Sequence, residues 1–200
     1  MINTIIFDFG DVFINLDKAV VARELAYLEN PGKISELKNL NDAYEVGNLA
    51  TEDFLRGLQG AIPGRSREEL KNLWNAMLLD FPLPRLNFLE NLAASKQFRL
   101  FLLSNTNELH ISSVQMIMGT PDYNRFLSCF DRYYFSHELH LRKPEPEIFQ
   151  YVLEQNKLEP GDTLFVDDTL ENIEAAARLG ISTWHLQVGK EDITELKTKF

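Results

Sequence analysis

Short apolar runs recur along the chain, and helix-forming stretches separate them. Four runs predict buried β-strands, and a fifth is a weaker strand candidate: residues 4–7, 99–103, 163–166 and 182–186, with 133–135 as the fifth. Helical patterns lie between them: residues 85–96, 107–118, 145–155 and 171–179. Strands that are apolar throughout and alternate with helices are typical of a parallel sheet covered on both faces. The pattern therefore predicts an α/β fold with a doubly wound parallel-sheet, Rossmann-like core.

The stretch between the first and second strands follows a different pattern, with several helix signals and no convincing strand. Ser66 and Glu69 have the spacing of a capping box at a helix start. Apolar residues then recur at helical spacing: Leu70, Leu73, Trp74 and Met77. The proline-rich residues 81–84 are predicted to form an exit hinge. We therefore predict two units: a core of residues 1–15 and 85–200, and a helical cap of residues 16–84.

Charge and composition narrow the classes of partner. The 200 residues carry 30 acidic and 20 basic side chains, a formal net charge of −10. Nucleic acids and anionic membranes bind basic surfaces, so we expect neither as a partner. We recognise no apolar run as long as a membrane span and no leader-like segment before the first strand. The single cysteine, Cys129, cannot form an internal disulfide, which fits an expected cytoplasmic location.

Polar side chains follow three of the predicted strands, at the point where each strand ends. They are Asp8 and Asp11, Ser104 and Asn105, and Asp167 and Asp168. Lys143 lies in a loop directly before a predicted helix. Each acid or hydroxyl alone can cap the helix that follows it. Because ligands of parallel sheets bind beyond the carboxyl ends of the strands, we expect these groups to meet at one edge.

The chemistry of this set suits phosphoryl transfer. Several carboxylates at one edge repel each other unless a cation neutralises them. Their oxygen atoms suit Mg²⁺, which often bridges to a substrate phosphate. A carboxylate can attack phosphorus to give an aspartyl-phosphate. Lys143 can offset the phosphate charge, and Ser104 can donate a hydrogen bond to a phosphoryl oxygen.

Four short motifs contain these residues. They are Phe7-Asp8-Phe9-Gly10, Leu103-Ser104-Asn105-Thr106-Asn107, Arg142-Lys143-Pro144-Glu145, and Phe165-Val166-Asp167-Asp168 with Asn172. In order and spacing they resemble the motifs of the haloacid dehalogenase (HAD) superfamily, and the resemblance extends over essentially the whole chain. The predicted cap resembles that superfamily's helical C1 cap. The stretches LSNTNELH, LRKPEPEIFQYVL and FVDDTLENIEAAARLGI are most similar to bacterial sugar-phosphate phosphatases, a group that includes α-glucose-1-phosphate phosphatase.

The resemblance implies a nucleophile and a metal site. Asp8 is the expected nucleophile and also a ligand of Mg²⁺. Gly10 is expected to bind the metal through its backbone carbonyl. Asp168 is expected to be a further ligand, with Asp167 helping directly or through water.

The resemblance also implies how the substrate is held. Ser104 and Asn105 are expected to bind the phosphoryl group, while Lys143 orients the nucleophile and offsets charge. The implied function is a Mg²⁺-dependent phosphomonoesterase that hydrolyses a small metabolite phosphate, a sugar phosphate by preference, as a monomer or weak homodimer. Two alternatives stay open: a cation-independent haloacid dehalogenase and a binding protein with little turnover.

The sequence departs from the superfamily's commonest pattern at Gly10. HAD phosphatases usually carry a second aspartate at this position, acting as general acid and then general base. Asp11 follows one residue later, and in an extended segment that shift turns its side chain to the opposite face. We interpret Asp11 as a turn residue that bonds local backbone rather than as a displaced acid–base group. A missing acid favours esters with good leaving groups, such as sugar 1-phosphates.

Four features are open to two interpretations each. His110 is either a residue that contacts the cap or a base, and we favour the former. Phe13 either lines the substrate pocket or packs in the core. Arg142 reaches either phosphate or solvent. Residues 44–48 form either a plain turn, which we favour, or a loop that faces the site.

Overall fold

Five parallel strands form one sheet in the computed structural model, which describes residues 1–20, 23 and 31–198. The strands are β1 (Thr4–Phe7), β2 (Arg99–Ser104), β3 (Arg132–Phe135), β4 (Thr163–Asp167) and β5 (Ser182–His185). Their order in the sheet is β3-β2-β1-β4-β5, so β1 is central. The predicted α/β fold is confirmed, and the predicted strand ends agree with the structure to within one residue.

Nine α-helices lie in the described part of the chain. They are α1 (Pro31–Glu45), α2 (Thr51–Ala61), α3 (Arg67–Asn75), α4 (Leu83–Ser95), α5 (Glu108–Met118), α6 (Thr120–Ser128), α7 (Ser136–Leu139), α8 (Pro146–Asn156) and α9 (Leu170–Arg178). Two 3₁₀ helices, Pro160–Asp162 and Ile193–Thr198, complete the set. Among these helices, none has both the length and the apolar character needed to cross a bilayer.

Successive side chains of the central strands point to opposite faces of the sheet, and both faces are covered. Ile5 and Phe7 belong to one apolar cluster, and Ile6 belongs to the other. All three side chains are fully buried. A strand buried on both faces needs apolar residues at every position, which explains the continuous run at the start of the chain.

The helices between β1 and α4 share an apolar cluster with Leu109 of α5. The Tyr44 ring stacks on the Phe54 ring with centroids 4.1 Å apart, and both are buried with Leu58. The capping box predicted at Ser66 and Glu69 is confirmed at the start of α3. Part of the predicted cap, residues 21–22 and 24–30, lies outside the described residues, and the division of the chain into core and cap stays a prediction.

The structure differs from the predicted local structure at two places. Residues 81–84 were predicted to be a hinge, but Leu83 and Pro84 form the start of α4. Proline is tolerated in the first turn of a helix because the amide hydrogen it lacks would have no partner there. Helix α6 was not predicted at all. It begins directly after Gly119 and also carries a proline, Pro121, in its first turn.

Candidate active site

The carboxyl ends of β1, β2 and β4 meet at one edge of the sheet, where they line a cavity of about 670 Å³. The backbone amide of Asp8 donates to the carbonyl of Val166 at 2.8 Å, so the pairing of β1 with β4 continues to the first acid. Six of the predicted site residues line the cavity: Asp8, Gly10, Ser104, Asn105, Lys143 and Asp168. The seventh, Asp167, is fully buried at the end of β4 and contacts Lys143.

Lys143 bridges two of the acids at the floor of the cavity. Its Nζ atom lies 2.6 Å from Asp8 Oδ1 and 2.7 Å from Asp167 Oδ2, and its side chain is 1% exposed. The loop that carries Lys143 is fixed by Asn105. The Asn105 side chain donates to the Lys143 carbonyl at 2.8 Å and accepts from the Lys143 amide at 2.9 Å. This pair of hydrogen bonds holds the end of β2 against the lysine loop, although 38 positions separate them.

Burial and charge set the proton affinities of this group. Loss of solvent raises the pKa of Asp8 to about 7, with Lys143 opposing the rise and Asp167 adding to it. Burial alone would lower the pKa of Lys143, but the charges of Asp167 and Asp8 outweigh it and the pKa is raised. Lys143 is therefore a cation, and its charge opposes the rise in the pKa of Asp8.

The three acids fit a hard divalent cation. Asp8, Asp167 and Asp168 each offer one carboxylate oxygen, and the three oxygens lie within 4.8 Å of one another. Asp167 is already engaged, because Oδ1 accepts from the Thr169 amide at 2.8 Å and Oδ2 from the Asn172 side chain at 3.0 Å. Asp8 and Asp168 line the cavity directly. An all-oxygen set on the cavity floor is the kind of donor set that Mg²⁺ prefers.

A side chain at Gly10 would require the Leu16 side chain to move. A Cβ atom there would lie 2.6 Å from Leu16 Cδ1 and 3.9 Å from Asp8 Oδ2. Asp11 adopts a left-handed conformation, with φ 55°, and its Oδ1 accepts from the Leu16 amide at 2.9 Å. Its other oxygen lies 3.1 Å from Lys18 Nζ. Asp11 thus bonds local backbone, as the sequence predicted, and Leu16 fills the space beside Gly10.

The structure decides the open interpretations of the sequence. Phe13 is fully buried in the core. His110 contacts Trp74, whose carbonyl lies 3.2 Å from its Nε2, and burial lowers the pKa of His110 to about 4. Arg142 lines the cavity and forms two ion pairs that neither interpretation included. It lies 2.6 Å from Asp42 and 2.8 Å from Glu45.

Residues 44–48 comprise the end of α1 and the turn after it, and they both pack against other elements and reach the cavity. Gly47, with φ +68°, packs so closely on the core that a Cβ atom would lie 2.1 Å from the His137 carbonyl oxygen. Glu45 lines the cavity. Glu45 lies among residues 44–48, which were considered as a loop that faces the site. Lys18 was not predicted as a cavity residue, because tertiary contacts alone bring it to the site.

Comparison with known proteins decides the family. The model for haloacid dehalogenase-like hydrolases matches residues 2–180. The chain belongs to this family. The family predicted from the four motifs is therefore confirmed.

Individual relatives narrow the enzyme class. The chain is 29% identical over 203 residues to a D-ribitol-5-phosphate phosphatase of Bacteroides thetaiotaomicron, covering 98% of this chain and 97% of that one. An HAD family enzyme from the same organism, solved with magnesium and inorganic phosphate, is 30% identical with a TM-score of 0.79, covering 96% and 97%. A predicted HAD-like hydrolase of Porphyromonas gingivalis is 27% identical with a TM-score of 0.83, covering 100% and 98%. These relatives agree with the predicted class, an HAD-type phosphatase.

Proposed function

We propose that this chain is a Mg²⁺-dependent phosphomonoesterase that hydrolyses a small sugar or polyol phosphate through an aspartyl-phosphate on Asp8. The observation that carries the proposal is the contact of Lys143 Nζ with Asp8 and Asp167 on the floor of the cavity. This contact places a buried carboxylate beside a cation at the carboxyl edge of a parallel sheet. That position is where such folds bind their ligands.

Asp8 supplies the nucleophile. Lys143 holds Oδ1 at 2.6 Å, which leaves Oδ2 to attack phosphorus from the cavity side. A bond forms between this oxygen and phosphorus, the ester bond breaks, and the leaving alkoxide takes its proton from water. A second water then attacks phosphorus, which releases inorganic phosphate and restores the carboxylate. Gly10 offers no side chain for proton transfer, so solvent must serve in both steps.

The acids around Asp8 would hold the magnesium ion. Asp8, Asp168 and the carbonyl of Gly10 are the proposed ligands, with Asp167 acting directly or through water. When bound, the ion neutralises negative charge on the phosphate and on the carboxylates. The relative solved with magnesium and inorganic phosphate supports this assignment, as does the close approach of three carboxylate oxygens.

Ser104, Asn105 and Lys143 are the proposed contacts of the phosphoryl group. Ser104 ends β2 and Asn105 follows it, and both line the cavity beside the nucleophile. The Asn105 side chain already holds the lysine loop, so we assign it a second role in keeping the lysine in place. Residues 16–84 are proposed to form a cap over this cavity.

The relative that acts on D-ribitol 5-phosphate supports a phosphorylated polyol or sugar as substrate. The expectation that sugar 1-phosphates are favoured, because position 10 has no acid, stays a prediction. So do the predicted cytoplasmic location and the monomeric or weakly dimeric state.

A phosphate-release screen tests the proposal. Purified enzyme is assayed on polyol phosphates, sugar 1-phosphates and sugar 6-phosphates, with Mg²⁺ and with chelator, beside Asp8→Asn. We expect release only with Mg²⁺ and only from wild-type enzyme. Turnover in the variant would contradict the role of Asp8. Halide release from a haloacid in chelator would support the dehalogenase instead, and tight binding without turnover would support the binding protein.

A further inference from the structure

One wall of the active-site cavity carries charged side chains that the proposed reaction does not use. Glu45 is the last residue of α1, and Arg142 directly precedes Lys143. Both line the same cavity as Asp8, together with Lys38. This wall is formed largely by α1, whereas the reaction uses groups at the ends of the strands. It therefore faces the part of a substrate that is not phosphate.

The backbone around Glu45 is held in place by hydrogen bonds and packing. Its carbonyl accepts a hydrogen bond from Ser136 Oγ at 2.6 Å, which ties the end of α1 to the start of α7. The neighbouring residue Tyr44 is stacked on Phe54 and is 2% exposed. The next carbonyl along, that of Val46, lies 2.8 Å from His140 Nδ1. A side chain on so fixed a backbone can hold a ligand with little loss of conformational entropy.

The Glu45 carboxylate keeps unused capacity to accept hydrogen bonds. Glu45 Oε2 is buried and lies 2.8 Å from Arg142 Nη2, without a hydrogen bond of regular geometry among the described residues. The other oxygen, Oε1, is therefore the atom that can accept from a ligand in the cavity. The better bond of Arg142 is the one to Asp42 at 2.6 Å. An ionised carboxylate can accept about four hydrogen bonds. Because the Glu45 side chain is only 17% exposed, water satisfies little of that capacity and donors from a ligand are favoured.

The charges along this wall cancel. Asp42 lies between Lys38, at 2.5 Å, and Arg142, at 2.6 Å, and Glu45 faces Arg142 from the other side. With Asp42 counted, which pairs with both cations but does not itself line the cavity, two cations balance two anions. A substrate with a second phosphate or a carboxylate would meet no excess positive charge here. A neutral chain of hydroxyl groups can donate to the carboxylate and leave the ion pairs intact.

We propose that Glu45 is a specificity-determining residue that accepts hydrogen bonds from the hydroxyl groups of a neutral, polyhydroxylated substrate, while Arg142 holds its carboxylate in position. The inference rests on the proposed phosphatase function. It narrows the substrate class to phosphorylated polyols and sugars that carry no second anionic group.

The test compares two substrates across matched variants. One substrate is the sugar or polyol phosphate that wild-type enzyme hydrolyses fastest, and the other is p-nitrophenyl phosphate, which has no hydroxyl group. The variants are Glu45→Ala and Glu45→Gln, with Asp42→Asn as the control. Asp42 also pairs with Arg142 but does not line the cavity. A thermal melt of each variant checks that it is folded.

We expect Glu45→Ala to lower kcat/KM for the polyol or sugar phosphate by about 10- to 100-fold, the range for losing a hydrogen bond to a charged group. Most of the change should appear in KM. Glu45→Gln, which keeps one acceptor, should lose less. The kcat/KM for p-nitrophenyl phosphate should stay nearly constant, and Asp42→Asn should keep the ratio of the two substrates.

Other results would overturn the inference in distinguishable ways. An equal loss on both substrates in Glu45→Ala would make Glu45 a structural residue and leave the phosphatase function standing. A wild-type preference for a phosphorylated sugar acid over the matching polyol phosphate would also contradict it. Wild-type enzyme that hydrolyses neither substrate would refute the proposed function itself, and the inference with it.

Discussion

Replacing Lys143 with methionine tests whether the buried ion pairs hold the active site together. Methionine keeps much of the volume of lysine and removes the charge. It leaves the carboxylates of Asp8 and Asp167 buried together, since their side chains are 11% and 0% exposed. Removing one partner of a buried ion pair costs about 3–5 kcal/mol because the remaining charge has no compensation. We expect a loss of this size for Lys143→Met.

Urea denaturation in chelator at pH 8 measures this loss. With a slope of about 2 kcal/mol per molar urea, the loss corresponds to a fall in the midpoint of about 1.5–2.5 M. Arg178→Met is the control, because Arg178 is 74% exposed and pairs with Glu174 on the surface of α9. An exposed pair of this kind contributes about 0–1 kcal/mol.

A second variant shows where the loss comes from. Asp8→Asn combined with Lys143→Met leaves one buried carboxylate instead of two. It should recover part of the stability that Lys143→Met loses, by more than about 0.5 kcal/mol of coupling. If Lys143→Met denatured at the same urea concentration as Arg178→Met, the buried ion pairs would not be what stabilises this edge of the sheet.

Three further predictions concern single residues. The pKa of His110 is about 4 in the folded protein and 6.5 ordinarily. The unfolded chain therefore binds the extra proton, and stability falls as the pH drops from about 6.5 to 4. His110→Gln should reduce that fall, measured by urea titrations at pH 7 and pH 5. Gly10→Asp should not raise phosphatase activity, because its Cβ would overlap Leu16. The overpacking should lower the free energy of unfolding by about 1–3 kcal/mol. Recovery of stability in Gly10→Asp with Leu16→Ala would show that this contact is the cause. Gly47→Ala should lower the melting temperature. A side chain in this left-handed backbone conformation costs about 1–2 kcal/mol, and its Cβ would also clash with the His137 carbonyl. An unchanged melting temperature would show that this loop does not pack as described.

The centre of the sheet could be predicted because β1, β2 and β4 are buried on both faces along most of their length. Burial of this kind requires uninterrupted apolar runs, which are visible in a single sequence. The catalytic edge followed from the same rule, because Asp8, Ser104 and Asp168 come just after strands whose ends must coincide. Helix α6 escaped prediction for a local reason. Gly119 and Pro121 normally signal a turn. Here Gly119 directly precedes the helix, and Pro121 lies in its first turn.

The contacts that escaped prediction join residues far apart in sequence. Arg142 pairs with Asp42, 100 positions away, so no periodic pattern links them. Leu16 lies against Gly10 because the turn after β1 folds back, and that turn depends on the left-handed conformation of Asp11. Chemistry at the ends of strands can be read from one sequence, whereas the wall that faces the substrate depends on how the helices pack.

In the proposed mechanism, Asp8 carries the phosphoryl group during turnover. Borohydride reduces an acyl phosphate to an alcohol, so we quench the enzyme with borohydride during steady-state hydrolysis and map its peptides by mass spectrometry. We expect homoserine at position 8, formed only when substrate and Mg²⁺ are both present. Rapid turnover with no reduced residue at position 8, or with the modification at another carboxylate, would contradict this mechanism.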